Sequence, residues 1–215
     1  MNLIRMTDAT VEPITLAQAK EHLRIDTSDS DDLITSLISA ARQQVEAYTR
    51  RALLQQTWRL SFDAQQLNAS ETDDGGIMAL LGIPDLKGSI IELPRPPLLA
   101  IATDGVKYYS TANVEATFAA SNYLVDVYST PGRICLNDGC VWPTGLRAID
   151  SLVITYTAGY GTTAGTVPFD LRNAVKRLVN TLYEQREDFV VGQTISRDVP
   201  SDAKSLMDPY RIVRI

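Results

Sequence analysis

The chain has 215 residues, of which 45% are hydrophobic and 21% charged, as in an ordinary globular protein. That length suits one domain or one domain with a sizeable insertion, and no apolar run approaches the roughly 20 residues of a membrane-spanning helix. The formal net charge is −6, and the only cluster of basic residues is Arg50-Arg51, which argues against tight nucleic-acid binding. A surface that faces DNA without holding it is still allowed, because like charges repel.

Two helices are predicted near the N-terminus. The segment "ITLAQAKEHLRI" opens with Thr15 and has Gln18 three residues later, a capping-box pattern that predicts a helix over 15–24. A longer helix follows, since apolar residues recur at steps of three and four. They are Leu33, Ile34, Leu37, Ile38, Ala41, Val45 and Tyr48. Arg42, Gln43 and Gln44 are expected to face away from this stripe.

Four acidic residues, Asp26, Asp29, Asp31 and Asp32, crowd the start of the long helix. Carboxylates there interact favourably with the helix dipole. A calcium loop is the alternative, but the D-x-D-x-D-G pattern and its distal Glu are absent, so the helix start is the favoured interpretation.

After Arg51 the apolar residues recur at every second position instead of every third or fourth. Trp58, Leu60 and Phe62 alternate with polar residues, which predicts a half-buried strand. From there to about residue 157 the chain reads as β. Further strands are expected in "SIIELP", "LLAIA", "NYLVDVY", "GRICL" and "SLVITYT". Asp104-Gly105 predicts a hairpin turn, and residues 64–87 a long loop.

The last large element is a helix in "VPFDLRNAVKRLVNTLYEQRED", with Pro168 in its first turn. Its predicted apolar stripe consists of Leu171, Val175, Leu178, Val179 and Leu182. The predicted fold is α+β: a small bundle of two N-terminal helices and one C-terminal helix, an inserted antiparallel β-sheet region, and an extended C-terminal tail. The expected divisions are a helical core over 1–53 and 166–190, a β insertion over 54–165 and a partner-docking tail over 191–215. The junction near Leu53 has no Gly or Pro, so we expect a packed corner there.

No motif in the chain requires catalysis or a cofactor. His22 is the only histidine and is expected on a solvent-facing helix surface. Cys135 and Cys140 lack the spacing of a CxxC redox or zinc pair and are expected to be free thiols. "AGYGTTAG" lacks the Lys-Ser/Thr of a P-loop and the glycine pattern of a dinucleotide site.

Taken together, "ITLAQAKEHLRID", the acidic run, "LITSLISAARQQVEAYTRRALLQQTWRL", "IELPRPPL", "ITYTAGYG" and "VPFDLRNAVKRLVNTLYEQRE" resemble the head–tail connector (adaptor) proteins of tailed bacteriophages. The similar subfamily carries a β insertion between the connector helices, and the resemblance spans about residues 13–190. It implies an interaction protein and not an enzyme. Such proteins form a ring, commonly of twelve identical subunits, in the virion neck, and they are made and assembled in the cytoplasm of the bacterial host.

The resemblance also implies partners. The ring would lie beneath the portal protein, extend the DNA channel, and offer a platform for a stopper or tail-side neck protein. DNA would pass through without specific binding, and no membrane is involved. We expect some of Asp26, Asp29, Asp31 and Asp32 to line or rim the channel, since a repelling lumen lets DNA slide.

The C-terminal hexamer "YRIVRI" is the candidate portal contact: Tyr210, Arg211, Ile212, Val213, Arg214 and Ile215. Its alternating pattern could add a strand to a partner's sheet edge, ordering only on docking. Pairing within its own subunit is the alternative. Contacts between subunits are expected from Arg50, Arg51, Arg172 and Arg177, although solvated helix faces explain these arginines as well.

A different class of function is a small α+β hydrolase or a carbohydrate-binding module, with Trp58, Trp142 and Tyr160 as stacking residues. Against it stands the lack of a convergent set of polar groups. Tryptophans at strand positions are also more often part of a core.

Overall fold

A computed structural model describes residues 1–64, 90–184 and 200–213. The chain divides into two compact units. The β unit comprises Met1–Asp8 and Gln55–Gly159, and the helical unit comprises Ala9–Leu54 and Tyr160–Ile215. The α+β class is confirmed. The first eight residues belong to the β unit, whereas the sequence analysis assigned them to the helical core. Nearly all of the predicted loop over 64–87 lies outside the described residues.

The helical unit contains four α-helices within the described ranges: α1 Leu16–Leu23, α2 Asp31–Thr49, α3 Phe169–Glu184 and α4 Ser201–Met207. The predicted capping box opens α1. The Gln18 N–H donates to the Thr15 hydroxyl at 3.2 Å, and the Thr15 N–H donates to Gln18 Oε1 at 3.1 Å. These two bonds satisfy donors that the first helical turn leaves without partners. Arg24 ends the helix in the left-handed conformation.

All four helices contribute to one apolar core. Its buried members from α2 and α3 are Ile34, Ile38, Ala41, Val45, Leu171, Ala174, Val175, Leu178 and Val179. The predicted stripes are therefore confirmed at their centres. Leu33 was placed on the α2 stripe but is exposed. It lies one residue, or about 100°, from Ile34, and so falls outside the buried face.

Arg42 is buried, and the prediction that it faces away from the core is wrong. Its side chain is 2% exposed and donates from Nε to Glu12 Oε2 at 2.9 Å. Its NH1 group donates to Glu46 Oε2 at 3.2 Å. A buried guanidinium is tolerated only where carboxylates pair with it. Arg42 lies four residues after the buried Ile38, so the helix turns its side chain toward the core. Its two carboxylate partners allow it to stay there.

Glu46 links this ion pair to the corner that follows α2. Its Oε1 accepts the backbone N–H of Leu53 at 3.0 Å. Arg50 takes the left-handed conformation with φ 57°, which usually calls for glycine. Such a conformation costs a non-glycine residue about 1–2 kcal/mol. The fully buried side chains of Leu53 and Leu54 offset that cost, and the corner is packed.

The described part of the β unit contains two antiparallel sheets, one with strand order β1-β2-β8-β4-β5 and the other β3-β7-β6. The strands are β1 Asn2–Thr7, β2 Gln56–Phe62, β3 Ile90–Leu93, β4 Leu98–Tyr109, β5 Glu115–Thr117, β6 Tyr123–Asp126, β7 Gly132–Leu136 and β8 Leu152–Ala158. Leu60 on β2 lies opposite Ile154 on β8, and both are fully buried. Tyr156 of β8 is also buried, which raises its pKa, and its hydroxyl donates to the Pro94 carbonyl at 2.8 Å.

Strand β1 was not predicted. Among the described residues it is an edge strand that pairs with β2 alone, and Leu3 is its only residue that is not exposed. With so little burial, its sequence has no reason to alternate between apolar and polar residues. The strand is therefore held by its backbone hydrogen bonds.

Asp104 and Gly105 do not form a hairpin turn, so that prediction is wrong. Strand β4 continues through them, and its register against β8 shifts between Ile101 and Val106. Asp104 has φ 51°, and a Cβ on Gly105 would lie 2.5 Å from the carbonyl oxygen of Thr155. The Asp-Gly signal correctly marked a special backbone conformation, but a strand irregularity uses the same residue types as a turn.

Arg42→Ala tests the buried ion pair. The substitution leaves the Glu46 carboxylate buried without its guanidinium, so we expect the free energy of unfolding to fall by about 3–5 kcal/mol. Urea unfolding followed by circular dichroism measures the change. Gln43→Ala, on the exposed face of the same helix, is the matched control and should stay within about 0.5 kcal/mol of wild type. Equal midpoints for the two variants would contradict the account.

Candidate functional site

The acidic rim, which we define as Asp26, Asp29, Asp31 and Asp32, lies in the loop between α1 and α2 and in the first turn of α2. Three of the four are exposed. Asp31 is partly buried and accepts a hydrogen bond from Lys20 Nζ at 2.6 Å. The helix-start interpretation is confirmed, because Asp31 and Asp32 occupy the first turn of α2. The rim therefore presents three solvent-facing carboxylates on a short segment.

The rim is not arranged as a metal centre. Within the described ranges, no three His, Cys, Asp or Glu side chains converge as metal ligands. Cys135 and Cys140 are both free thiols, as predicted. In the same ranges no helix is long and apolar enough to cross a membrane.

The C-terminal segment is not an extended tail where the structure describes it, over 200–213. Residues Ser201–Met207 form α4, and Ala203 and Met207 are fully buried in the helical core. The prediction of an extended tail is wrong for this part of the chain. Two buried side chains in a seven-residue helix are too few to stand out as a periodic pattern in sequence.

The residues after α4 run along the C-terminal end of α2. The Tyr48 hydroxyl donates to Asp208 Oδ1 at 2.6 Å, and this bond raises the pKa of Tyr48. The Ile212 N–H donates to the Thr49 carbonyl at 3.1 Å, which satisfies an acceptor at the helix end. These contacts attach the segment to its own subunit.

The six portal-docking candidates differ in how firmly they contact their own subunit. The Tyr210 carbonyl accepts from Arg51 Nε at 2.5 Å, and the guanidinium of Arg211 lies 5.1 Å from the Tyr48 ring centre. Ile212 is held as described above. Val213 is 68% exposed, and Arg214 and Ile215 lie outside the described residues. Docking of this hexamer on a portal stays a prediction.

The four subunit-contact candidates have contacts of different kinds. Arg50 is exposed at the C-cap of α2, and Arg51 donates to Tyr210. Arg172 places its guanidinium 5.7 Å from the Phe169 ring centre. Arg177 donates to Asp202 at 2.7 Å, joins α3 to α4, and lowers the pKa of that carboxyl. A role for the four between subunits stays a prediction.

The proposed stacking residues do not form an exposed platform. Trp58 and Trp142 are buried in the β unit. The Trp142 ring centre lies 5.2 Å from that of Phe118, and Phe118 in turn stacks on Tyr123 at 6.1 Å. Tyr160 packs partly buried against the core of the helical unit. The tryptophans are core residues, so they are not available to a sugar ring.

Sequence reasoning missed one exposed feature, the turn between β6 and β7. Its residues "DVYSTPG" carried an ordinary turn signal of Asp, Ser, Pro and Gly. Such a signal predicts a change of chain direction but does not indicate which side chain will be exposed. In the structure, Tyr128 is 95% exposed there.

The comparisons with known proteins bear on the whole chain. Residues 13–79 match the family described as "Phage gp6-like head-tail connector protein". The resemblance to head–tail connector proteins is confirmed. The matched part includes α1, α2 and the corner that joins α2 to β2. Membership of the subfamily with a β insertion stays a prediction. A search of the curated proteins found no match to the chain.

Solved structures share the fold of this chain over its full length. A chain of "Neck of empty GTA particle computed with C6 symmetry" is similar with a TM-score of 0.75 and 24% identity, covering 100% of this chain and 97% of that one. A chain of "Neck of native GTA particle computed with C12 symmetry" has a TM-score of 0.72 and 22% identity at the same coverage. A chain of "Virion of native gene transfer agent (GTA) particle" has a TM-score of 0.70 and 23% identity, also at that coverage.

Met207→Ala tests whether the C-terminal segment packs in solution. The variant removes a fully buried side chain, so we expect the free energy of unfolding to fall by about 2–5 kcal/mol in a denaturant titration. Val213→Ala, at an exposed position of the same segment, should change it by less than about 0.5 kcal/mol. If Met207→Ala were as stable as wild type, the segment would not be part of the folded subunit.

Proposed function

We propose that this chain is a structural protein of a virion neck, where it forms a ring that joins the head to the tail and extends the DNA channel. One observation carries the proposal. The connector family matches residues 13–79, and chains from particle necks share the fold over the whole length. Both point to the same place in a phage-like particle. The role is one of assembly and not of catalysis.

The ring is proposed to contain identical subunits, twelve in number. Twelvefold symmetry was used for one of the similar neck structures and sixfold symmetry for another, and a twelvefold ring satisfies both. In such a closed ring each subunit contacts its neighbours through two different surfaces. Arg50, Arg51, Arg172 and Arg177 are candidates for these contacts.

The acidic rim is proposed to line or border the channel. Each subunit has a formal net charge of −6, so a ring of twelve subunits would have a net charge of 12 × −6 = −72. A negatively charged lumen repels the phosphate backbone and lets DNA pass, whereas basic residues would hold it by releasing its counterions. The exposed Asp26, Asp29 and Asp32 are the residues that would face DNA.

Two protein partners are proposed in addition to the neighbouring subunits. The portal protein would contact the C-terminal residues Tyr210–Ile215. A stopper or tail-side neck protein would bind on the other side of the ring. The exposed Val213 is the described residue of the hexamer that is best placed for a new contact, because Arg211 and Ile212 already contact α2.

Assembly with the portal tests the proposal. Light scattering should give the mass of the purified chain alone, and then after mixing with the portal of the same particle. We expect a complex whose added mass corresponds to about twelve subunits, seen by negative staining as a ring coaxial with the portal. A chain that stays separate from the portal at every concentration would contradict the proposed function.

Deletion of residues 213–215 tests whether the end of the C-terminal hexamer contacts the portal. It leaves α4 and the bond from Ile212 to Thr49 in place, so thermal stability should be unchanged. Binding to the portal should weaken at least about tenfold if these residues carry a contact hot spot. Deletion of 206–215 is a poor test, since it also removes the buried Met207. Undiminished binding by the shorter deletion would place the portal contact elsewhere.

A further inference from the structure

Tyr128 is the most exposed large apolar side chain among the described residues, at 95%. It lies at the tip of the turn that joins β6 to β7. Leu124 and Val125 of β6 are exposed beside it in sequence, and within the described ranges β6 is the outer strand of a three-stranded sheet. An exposed apolar segment on an edge strand invites association, and a protein that functions as a monomer usually covers or charges it.

The turn that presents Tyr128 is rigid. Asp126 Oδ1 accepts the backbone N–H groups of Tyr128 at 3.0 Å and of Ser129 at 3.1 Å. Asp126 Oδ2 accepts the Ser129 hydroxyl at 2.6 Å and Arg133 Nε at 2.9 Å. The bonds from Ser129 and Arg133 hold the pKa of Asp126 well below its usual range, so the carboxylate stays charged at neutral pH. A backbone that is already held in this way loses little conformational freedom when a partner binds the turn.

The base of the turn is fixed as well. Tyr123, at the start of β6, stacks on Phe118, which packs against Trp142. All three aromatic side chains are buried. The strand thus begins in the core of the β unit and ends in an exposed apolar tip. Tyrosine is one of the residue types, with tryptophan and arginine, that are enriched among the residues that dominate protein contacts.

The charge around Tyr128 indicates what kind of surface it contacts. Asp126 and Arg133 form an ion pair, so the local formal charge of the turn is zero. The whole chain carries −6, and identical copies therefore repel one another wherever their acidic surfaces meet. A contact between copies is favoured where the surface is apolar and its charges are already paired, as it is at this turn.

The exposed apolar residues are also unevenly divided between the two units. Of fifteen exposed large apolar residues within the described ranges, eleven belong to the β unit and four to the helical unit. The four are Val11, Leu33, Phe169 and Val213. The β unit therefore has more of the surface that a lateral contact between subunits would bury.

We propose that the Tyr128 turn, residues 126–133, is the contact through which one subunit holds the next copy of this chain in the ring. The inference rests on the proposed neck function and names the surface that closes the ring. A buried aromatic side chain contributes about 150–250 Å² of contact area. This is a quarter or so of the roughly 800 Å² that each partner buries in a stable interface.

Assembly of Tyr128→Ser with the portal is the test, with wild type, Tyr128→Phe and Val11→Ser measured in parallel. The Tyr128 side chain makes little contact with its own chain, so the urea midpoint of Tyr128→Ser should equal that of wild type. The concentration needed for rings should rise about tenfold or more, as for loss of a hot-spot aromatic. Tyr128→Phe, which keeps the aromatic ring, should assemble nearly as wild type. Val11→Ser, which removes an exposed apolar side chain from the helical unit, should do so as well.

A photocrosslinking amino acid, p-benzoylphenylalanine, placed at position 128 of the full chain identifies the neighbour in the assembled complex. We expect multimers of this chain. If rings form but Tyr128→Ser assembles as wild type, or if the crosslinks reach only the portal or a tail-side protein, the inference is overturned while the neck function stands. If wild type forms no ring with the portal, the proposed function itself fails.

Discussion

The buried ion pair between Arg42 and Glu46 is the interaction on which the helical unit depends most. Two charged side chains are removed from water at the centre of α2, and each is tolerated because the other, together with Glu12, is present. Glu46 also accepts the N–H of Leu53, which fixes the chain after α2 without a glycine or proline. Helix α2 is therefore followed directly by β2, through a corner in which Leu53 and Leu54 are buried.

Much of this fold could be predicted where the cause is local. The capping box at Thr15, the apolar centres of α2 and α3, and the alternation of β2 all depend on neighbouring residues. The burial of Arg42 depends on Glu12, thirty residues earlier in the chain. Strand β1 depends on its pairing with β2, more than fifty residues later. Asp104-Gly105 shows a third limit, since one residue pair serves both hairpin turns and strand irregularities.

The candidate site could be predicted only in part. The exposure of Asp26, Asp29 and Asp32 follows from an acidic helix start. The C-terminal segment was misjudged, because it is attached by two buried side chains, one backbone bond from Ile212 to α2, and hydrogen bonds from the side chains of Tyr48 and Arg51. The Tyr128 turn was missed because turn-forming residues describe the path of the backbone and not its partners. The residues proposed to line the channel and to contact the portal thus belong to the helical unit, and the surface proposed to join copies belongs to the β unit.

An electron cryomicroscopy reconstruction of the neck of the particle that contains this chain is the most direct test of the central claim. The account predicts a ring of this chain around the DNA channel between head and tail, with both units fitting the density and Asp26, Asp29 and Asp32 facing the channel or its edge. A neck whose density is fully explained by other proteins would contradict the assignment. A ring with all of these carboxylates on its outer surface would contradict the proposed role of the acidic rim.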